Sequence, residues 1–216
     1  MRAFSRIPST GGGSAGQGYV AGQSNRLTSA TYFDANGVMR VAPPKALRPN
    51  YVYKNGVWVR DGWLREGQAT NYYSPTSPVT TVEGMMGVLS ASQTATTFSP
   101  DMPTPSETPA VVSCILKRKP GTTDPCGFWW GANGGRPILN INPDDATISG
   151  NTTYYNASCT PLGNGWAYFV GYFNSPTYDG WFPPWFPSSD FYMTIMLEYG
   201  TKPTSWVPYG TTRAAD

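Results

Sequence analysis

A chain of 216 residues makes one substantial domain or two small ones, and its 24 Gly and 21 Pro interrupt it too often for long helices. Aromatic residues at 14% exclude a disordered chain, and a net charge of +2 is too small to point to a nucleic-acid partner. The absence of His excludes Ser-His-Asp and Cys-His nucleophile systems within the chain, so any catalysis would rest on carboxylates, Lys, Tyr or a bound ion.

Residues 1–30 stand apart in texture. They are rich in Gly, Ser and Gln and carry Arg2, Arg6 and Arg26 with no acidic residue. "GGGSAG" satisfies G-x-G-x-x-G at Gly11, Gly13 and Gly16. That fingerprint holds a pyrophosphate only between a strand and a helix, and neither pattern flanks it here. An extended arm is the expectation for 1–30, followed by one domain over 31–216. "MRAFSRIPSTGGG" lacks an apolar h-region, so no secretory signal is expected. The longest dense apolar run, "WAYFVGYF" from Trp166 to Phe173, falls far short of the roughly 20 residues of a membrane helix, so no membrane insertion is expected.

From Thr31 the pattern turns to short strands. "TYFDANGVMRVA" predicts strand, turn and strand, with Asp34-Ala-Asn36-Gly37 as the turn. "YVYKNGVWVRDGWLRE" repeats it around Asn55-Gly56, the strongest hairpin signal in the chain. "GVLSASQTATTFS" alternates weakly, and the proline-rich 99–109 predicts a loop. "AVVSCILKRK", Ala110 to Lys119, is β-branched and then basic. "GFWWGA", "RPILNINP" and "ATISG" read as short strands, with a turn at Asn142-Pro143-Asp144-Asp145. "NGWAYFVGYF" and "FYMTIMLEY" read as strands, whereas the prolines of 179–190 bar a central strand there. No segment shows a 3.6-residue period. The predicted class is an all-β sandwich of short strands.

Several residues invite chemistry. Trp181 and Trp185, with Tyr178, Asp179 and Asp190, could stack and orient a sugar. Proline-locked aromatics equally suit a fixed docking surface, and interface is the reading taken for them. Trp129 and Trp130 are adjacent strand residues, so one faces the core and the other, Trp130 being a candidate, faces the surface or an interface. Glu66 and Glu198 are the one carboxylate pair worth nominating for glycoside hydrolysis, and a structural role is the reading taken for both. Asp144-Asp145 is too few oxygens for calcium and reads as a solvated turn. Cys114, Cys126 and Cys159 are odd in number and irregular in spacing, which predicts free thiols and neither a disulfide framework nor a zinc site. Neither a metal nor a cofactor is expected. "NTT" at Asn151 and "NAS" at Asn156 match the glycosylation sequon, a pattern that carries meaning only in a secreted protein.

Two end motifs carry a family likeness. The first has Arg48 before an aromatic strand, Asn55-Gly56, then Glu66 and Thr70-Asn71. The second has Leu197-Glu198, Gly200, Pro203-Thr204-Ser205-Trp206-Val207-Pro208 and Thr212-Arg213-Ala214-Ala215-Asp216. Together they resemble a domain of tailed-bacteriophage virion proteins, akin to carbohydrate-binding and concanavalin-like jelly rolls, over residues 31 to about 75 and about 110 to 216. The resemblance implies a jelly-roll β-sandwich in a non-enzymatic structural protein. Such a protein is made in the bacterial host cytoplasm and displayed on the virion as a tail or collar fibre or a head decoration. It implies a homo-oligomer, a trimer in such proteins. Residues 1–30 would dock on other virion proteins, and a host glycan is the alternative partner.

Physics adds an expectation about the ends. First and last strands of a jelly roll commonly neighbour each other. Arg48, Glu66, Glu198 and Arg213 sit in apolar strand contexts, where unpaired charge is costly. A network among them is expected to tie the ends together, with Trp206 and Val207 packed back on the sandwich.

Overall fold

The computed structural model describes residues 24, 26–73, 75, 78–89, 109–123, 126–128, 139–150, 156–173 and 190–216. All regular structure in them is β, and every pairing is antiparallel.

The opening hairpin joins β1 (Ala30–Phe33) to β2 (Met39–Ala42). Its turn forms because the Asp34 carboxylate accepts from the backbone N–H of Asn36 at 2.9 Å and of Val38 at 3.0 Å. The second hairpin pairs β3 (Arg48–Lys54) with β4 (Val57–Leu64). Asn55 at φ 51° and Gly56 at φ 83° close it as the left-handed pair of a two-residue turn. A bulge opposite Asn50 follows, with Gly62 at φ 91°.

A four-stranded sheet forms the centre, in the order β12 (Asn156–Gly163), β13 (Trp166–Phe173), β8 (Ala110–Arg118), β14 (Phe191–Tyr199). Pro161 is tolerated in β12 because that strand lies on the sheet edge. The inner strands are almost wholly apolar because the sheet is covered on both faces. On one face Cys114, Leu116, Phe169, Met193, Ile195 and Leu197 form a cluster with Cys126, Leu139 and Ile141. Those last three come from a sheet of β9 (Cys126–Phe128), β10 (Leu139–Asn142) and β11 (Thr147–Gly150). On the other face Ile115, Leu162 and Trp166 pack with Met39, Met85 and Val88, joined by Phe33, Trp58 and Trp206. Met85 and Val88 belong to the hairpin of β6 (Val79–Val82) and β7 (Met85–Leu89).

Three expectations need correction. The arm does not extend to residue 30: Ala30 opens β1, and Arg26 is fully buried within the folded body. A buried guanidinium demands partners, and Arg26 finds them 190 residues away in sequence. The last strand, β15 (Thr212–Arg213), does not pair with the first; it pairs with β5 (Ala69–Thr70). β12 was not foreseen as a strand.

Candidate functional site

The two end motifs converge on one buried group of charges. Arg48 begins β3 and Glu66 follows β4. Arg48 Nη1 donates to Glu66 Oε2 at 2.9 Å and to Ser205 Oγ at 2.8 Å, while its Nη2 bonds Asp216 Oδ2. Arg213 Nη2 lies 3.4 Å from Glu66 Oε2, and its Nη1 lies 3.8 Å from Asp216 Oδ2. Arg26 Nε donates to Asp216 Oδ1 at 3.1 Å, and its Nη2 reaches the carbonyls of Pro43 and Ala46. The three guanidinium side chains are wholly excluded from solvent.

Backbone donors complete the group. Ser205 gives Glu66 both its N–H and its hydroxyl at 2.6 Å. The N–H of Glu66 donates to Asp216 Oδ2 at 2.9 Å, and the N–H of Asp216 returns to the Glu66 carbonyl at 3.0 Å. Burial alone would push the Asp216 carboxyl up, but Arg48 beside it holds it below the usual carboxylate range.

Of the four residues expected in a network, Arg48, Glu66 and Arg213 meet through ion pairs. Glu198 is arranged differently. It is 2% exposed and its oxygens accept from Thr204, from the N–H at 2.7 Å and the hydroxyl at 2.9 Å. No cation lies within 4.0 Å of it among the described residues. Burial therefore pushes its carboxyl up to about 7, against the lowering effect of the Thr204 bonds. Arg26 and Asp216 complete the clamp without having been expected in it. Val207 is buried, Trp206 packs beside it, and Thr31 Oγ1 bonds the Trp206 carbonyl, which sews the closing segment to β1.

A cleft of about 310 Å³ lies beside this clamp, between the β3–β4 hairpin with β1 and the second face of the central sheet. Its floor follows the strand register. One rung runs Ser158, Val170, Ser113, Met196 across β12, β13, β8 and β14; the next runs Thr160, Tyr168, Ile115, Thr194. Tyr32, Tyr51, Tyr53 and Trp58 line it from the hairpins. Tyr53 and Trp58 are fixed by ring contact at 5.6 Å, and Trp58 packs on Phe33 at 5.1 Å. Thr194 is already committed to the Met86 carbonyl at 2.8 Å, whereas Ser158 is exposed and Thr160 half-buried. Among the described lining residues Glu66 is the one Asp, Glu, Lys or Arg, and its oxygens are taken by the clamp.

Trp130, Tyr178, Asp179, Trp181 and Trp185 lie outside the described residues. Asp144 pairs with Arg118 of β8 at 2.8 Å, which ties the β10–β11 turn to the central sheet, and Asp145 accepts from Thr147 within that turn. No group of three His, Cys, Asp or Glu among the described residues is placed to hold a metal ion. The three thiols are free, and burial pushes Cys159 up to about 11. The cleft has a signal in the sequence: Ser113 and Thr194 interrupt mostly apolar strands, each at a position that faces the same side. No protein-family model matches the chain, and no curated protein matches it.

Proposed function

We propose that the chain is a non-enzymatic structural domain of a tailed-phage virion, a jelly-roll sandwich displayed on the particle surface as fibre or head decoration. The observation that carries this reading is the clamp. The residues with the family likeness, Arg48, Glu66, Arg213 and Asp216, neutralise one another in the interior, so they act on the fold. Glu66 and Glu198, the pair nominated for hydrolysis, are withdrawn from solvent and hydrogen-bonded to Ser205 and Thr204 of the closing segment, which favours a structural role over acid–base work. Residues 1–23 are the segment proposed to dock on other virion proteins, in a homotrimer. Mass spectrometry of purified particles tests the assignment. The chain is expected at fixed copy number, high for decoration and low for a fibre, and its absence from particles overturns the reading. Deletion of residues 1–23 is expected to abolish incorporation while leaving the fold intact.

A second reading is a carbohydrate-binding module that contacts host surface glycans, and the aromatic, hydroxyl-bearing cleft is what favours it. Retention of the protein on immobilised host polysaccharide tests it.

A further inference from the structure

We infer that the cleft between the β3–β4 hairpin and the central sheet is a binding site for an uncharged sugar of one or two rings, and that it discriminates against acidic sugars. The inference rests on the carbohydrate-binding reading and adds the place and the chemical class.

Three observations lead there. First, the described lining residues offer no free charge: Glu66 already accepts from Arg48 Nη1 and twice from Ser205. A ligand carboxylate entering the cleft would lose its hydration and gain no cation. An uncharged ligand suffers no such loss. Second, the lining alternates rings and hydroxyls. Tyr51 and Tyr168 line it, and an aromatic ring offers a carbon surface on which the C–H face of a pyranose can pack; Ser158 and Thr160 on the edge strand β12 can donate to and accept from its hydroxyls. A purely apolar ligand would leave those hydroxyls dehydrated and unpaired. Third, the cleft volume of about 310 Å³ sits at the lower end of the roughly 300–1,000 Å³ range of small-molecule sites, which fits a short ligand and not the middle of a wide polymer.

The cleft is also held open in a defined shape. Gly163 stands where an added Cβ would come within 2.9 Å of the Tyr53 ring, so this roof residue seats closely on the β12–β13 turn. Gly37 does the same under Trp58, at 2.2 Å. Both contacts fix the roof, and Tyr51, on β3 between Arg48 and Tyr53, lines the cleft beside them.

The test is a glycan array of uncharged and acidic mono- to tetrasaccharides, probed with the full chain and two variants. Tyr51→Ala removes a ring from the roof, and Thr160→Tyr fills the floor with a residue suited to an edge strand. Both are first checked for an unchanged thermal midpoint. The expected result is binding to uncharged sugars, weakened about tenfold by Tyr51→Ala and abolished by Thr160→Tyr. Binding that survives both variants places the site elsewhere and overturns the inference while the carbohydrate reading stands. Binding confined to acidic sugars overturns the class. No binding to any sugar on the array overturns the inference and the carbohydrate reading together.

Discussion

The two faces of the central sheet are built from the same four strands and do different things. On β8, Val112, Cys114 and Leu116 point into a dry cluster, while Ser113 and Ile115 point into the cleft. On β14, Met193, Ile195 and Leu197 face the dry side, and Thr194, Met196 and Glu198 the other. A strand's two-residue period lets one segment serve packing on one side and recognition on the other. A polar group without a partner is costly on the dry face. The cleft face carries hydroxyls, the Glu198 carboxyl with no cation within 4.0 Å among the described residues and, at its end, the ion clamp. Stability is therefore expected to be sensitive everywhere, and ligand binding on one side only.

The largest break in this comparison comes from the clamp. Glu66→Ala leaves Arg48 and Arg213 buried with Asp216 alone, which is expected to cost about 3–5 kcal/mol in urea unfolding. A change below about 1 kcal/mol would mean that the clamp is solvated in solution. Next come neighbours on β13. Phe169→Ala opens the dry cluster and is expected to cost about 3–5 kcal/mol. Tyr168→Phe, one residue earlier on the cleft side, removes only a hydroxyl that bonds Ser113 and is expected to cost about 1 kcal/mol.

Glu198 gives the comparison a pH axis. Its carboxyl is raised from 4.5 to about 7 in the fold, so between those values the unfolded chain releases a proton that the folded chain keeps. Stability is then highest below about 4.5 as far as this group is concerned, and falls as pH rises through about 7. The full loss is on the order of 3 kcal/mol. Asp216 works in the opposite sense: its lowered carboxyl contributes stability above 3.8 that disappears as pH falls. Glu198→Gln is expected to flatten the slope between 4.5 and 7 in thermal melts, and an unchanged slope would remove Glu198 as its cause. An effect as small as that of Tyr168→Phe belongs to the hairpin tip. Gly56→Ala, at φ 83° with open space around the new methyl, is expected to cost about 1 kcal/mol and to leave the cleft unchanged.

What the sequence disclosed follows the range of the interactions. Asn55-Gly56 and Asp34 announced their turns because the signal lies within the turn itself. "AVVSCILKR" and "FYMTIMLEY" announced buried strands by composition. β12 escaped notice because "NASCTPLG" contains a proline, acceptable only on an edge that the sequence does not reveal. Arg26 was assigned to an arm because nothing near it in sequence shows that Asp216 awaits it. The end motifs contain four of the clamp's five charged members, and three of them, Arg48, Glu66 and Arg213, were expected to pair because they sit in apolar strand contexts. The cleft itself was not legible, because it exists only when Tyr51 and Thr160 are brought together by pairing and packing across more than a hundred residues.

The division between faces is tested most directly by mapping side-chain and amide NMR shifts while titrating in the uncharged sugar that binds most tightly on the array. Shifts are expected at Tyr51, Ser113, Thr160 and Tyr168, with Cys114, Leu116 and Phe169 unmoved. Shifts centred on those three residues of the dry face, or an undisturbed cleft in the presence of bound sugar, would contradict the account.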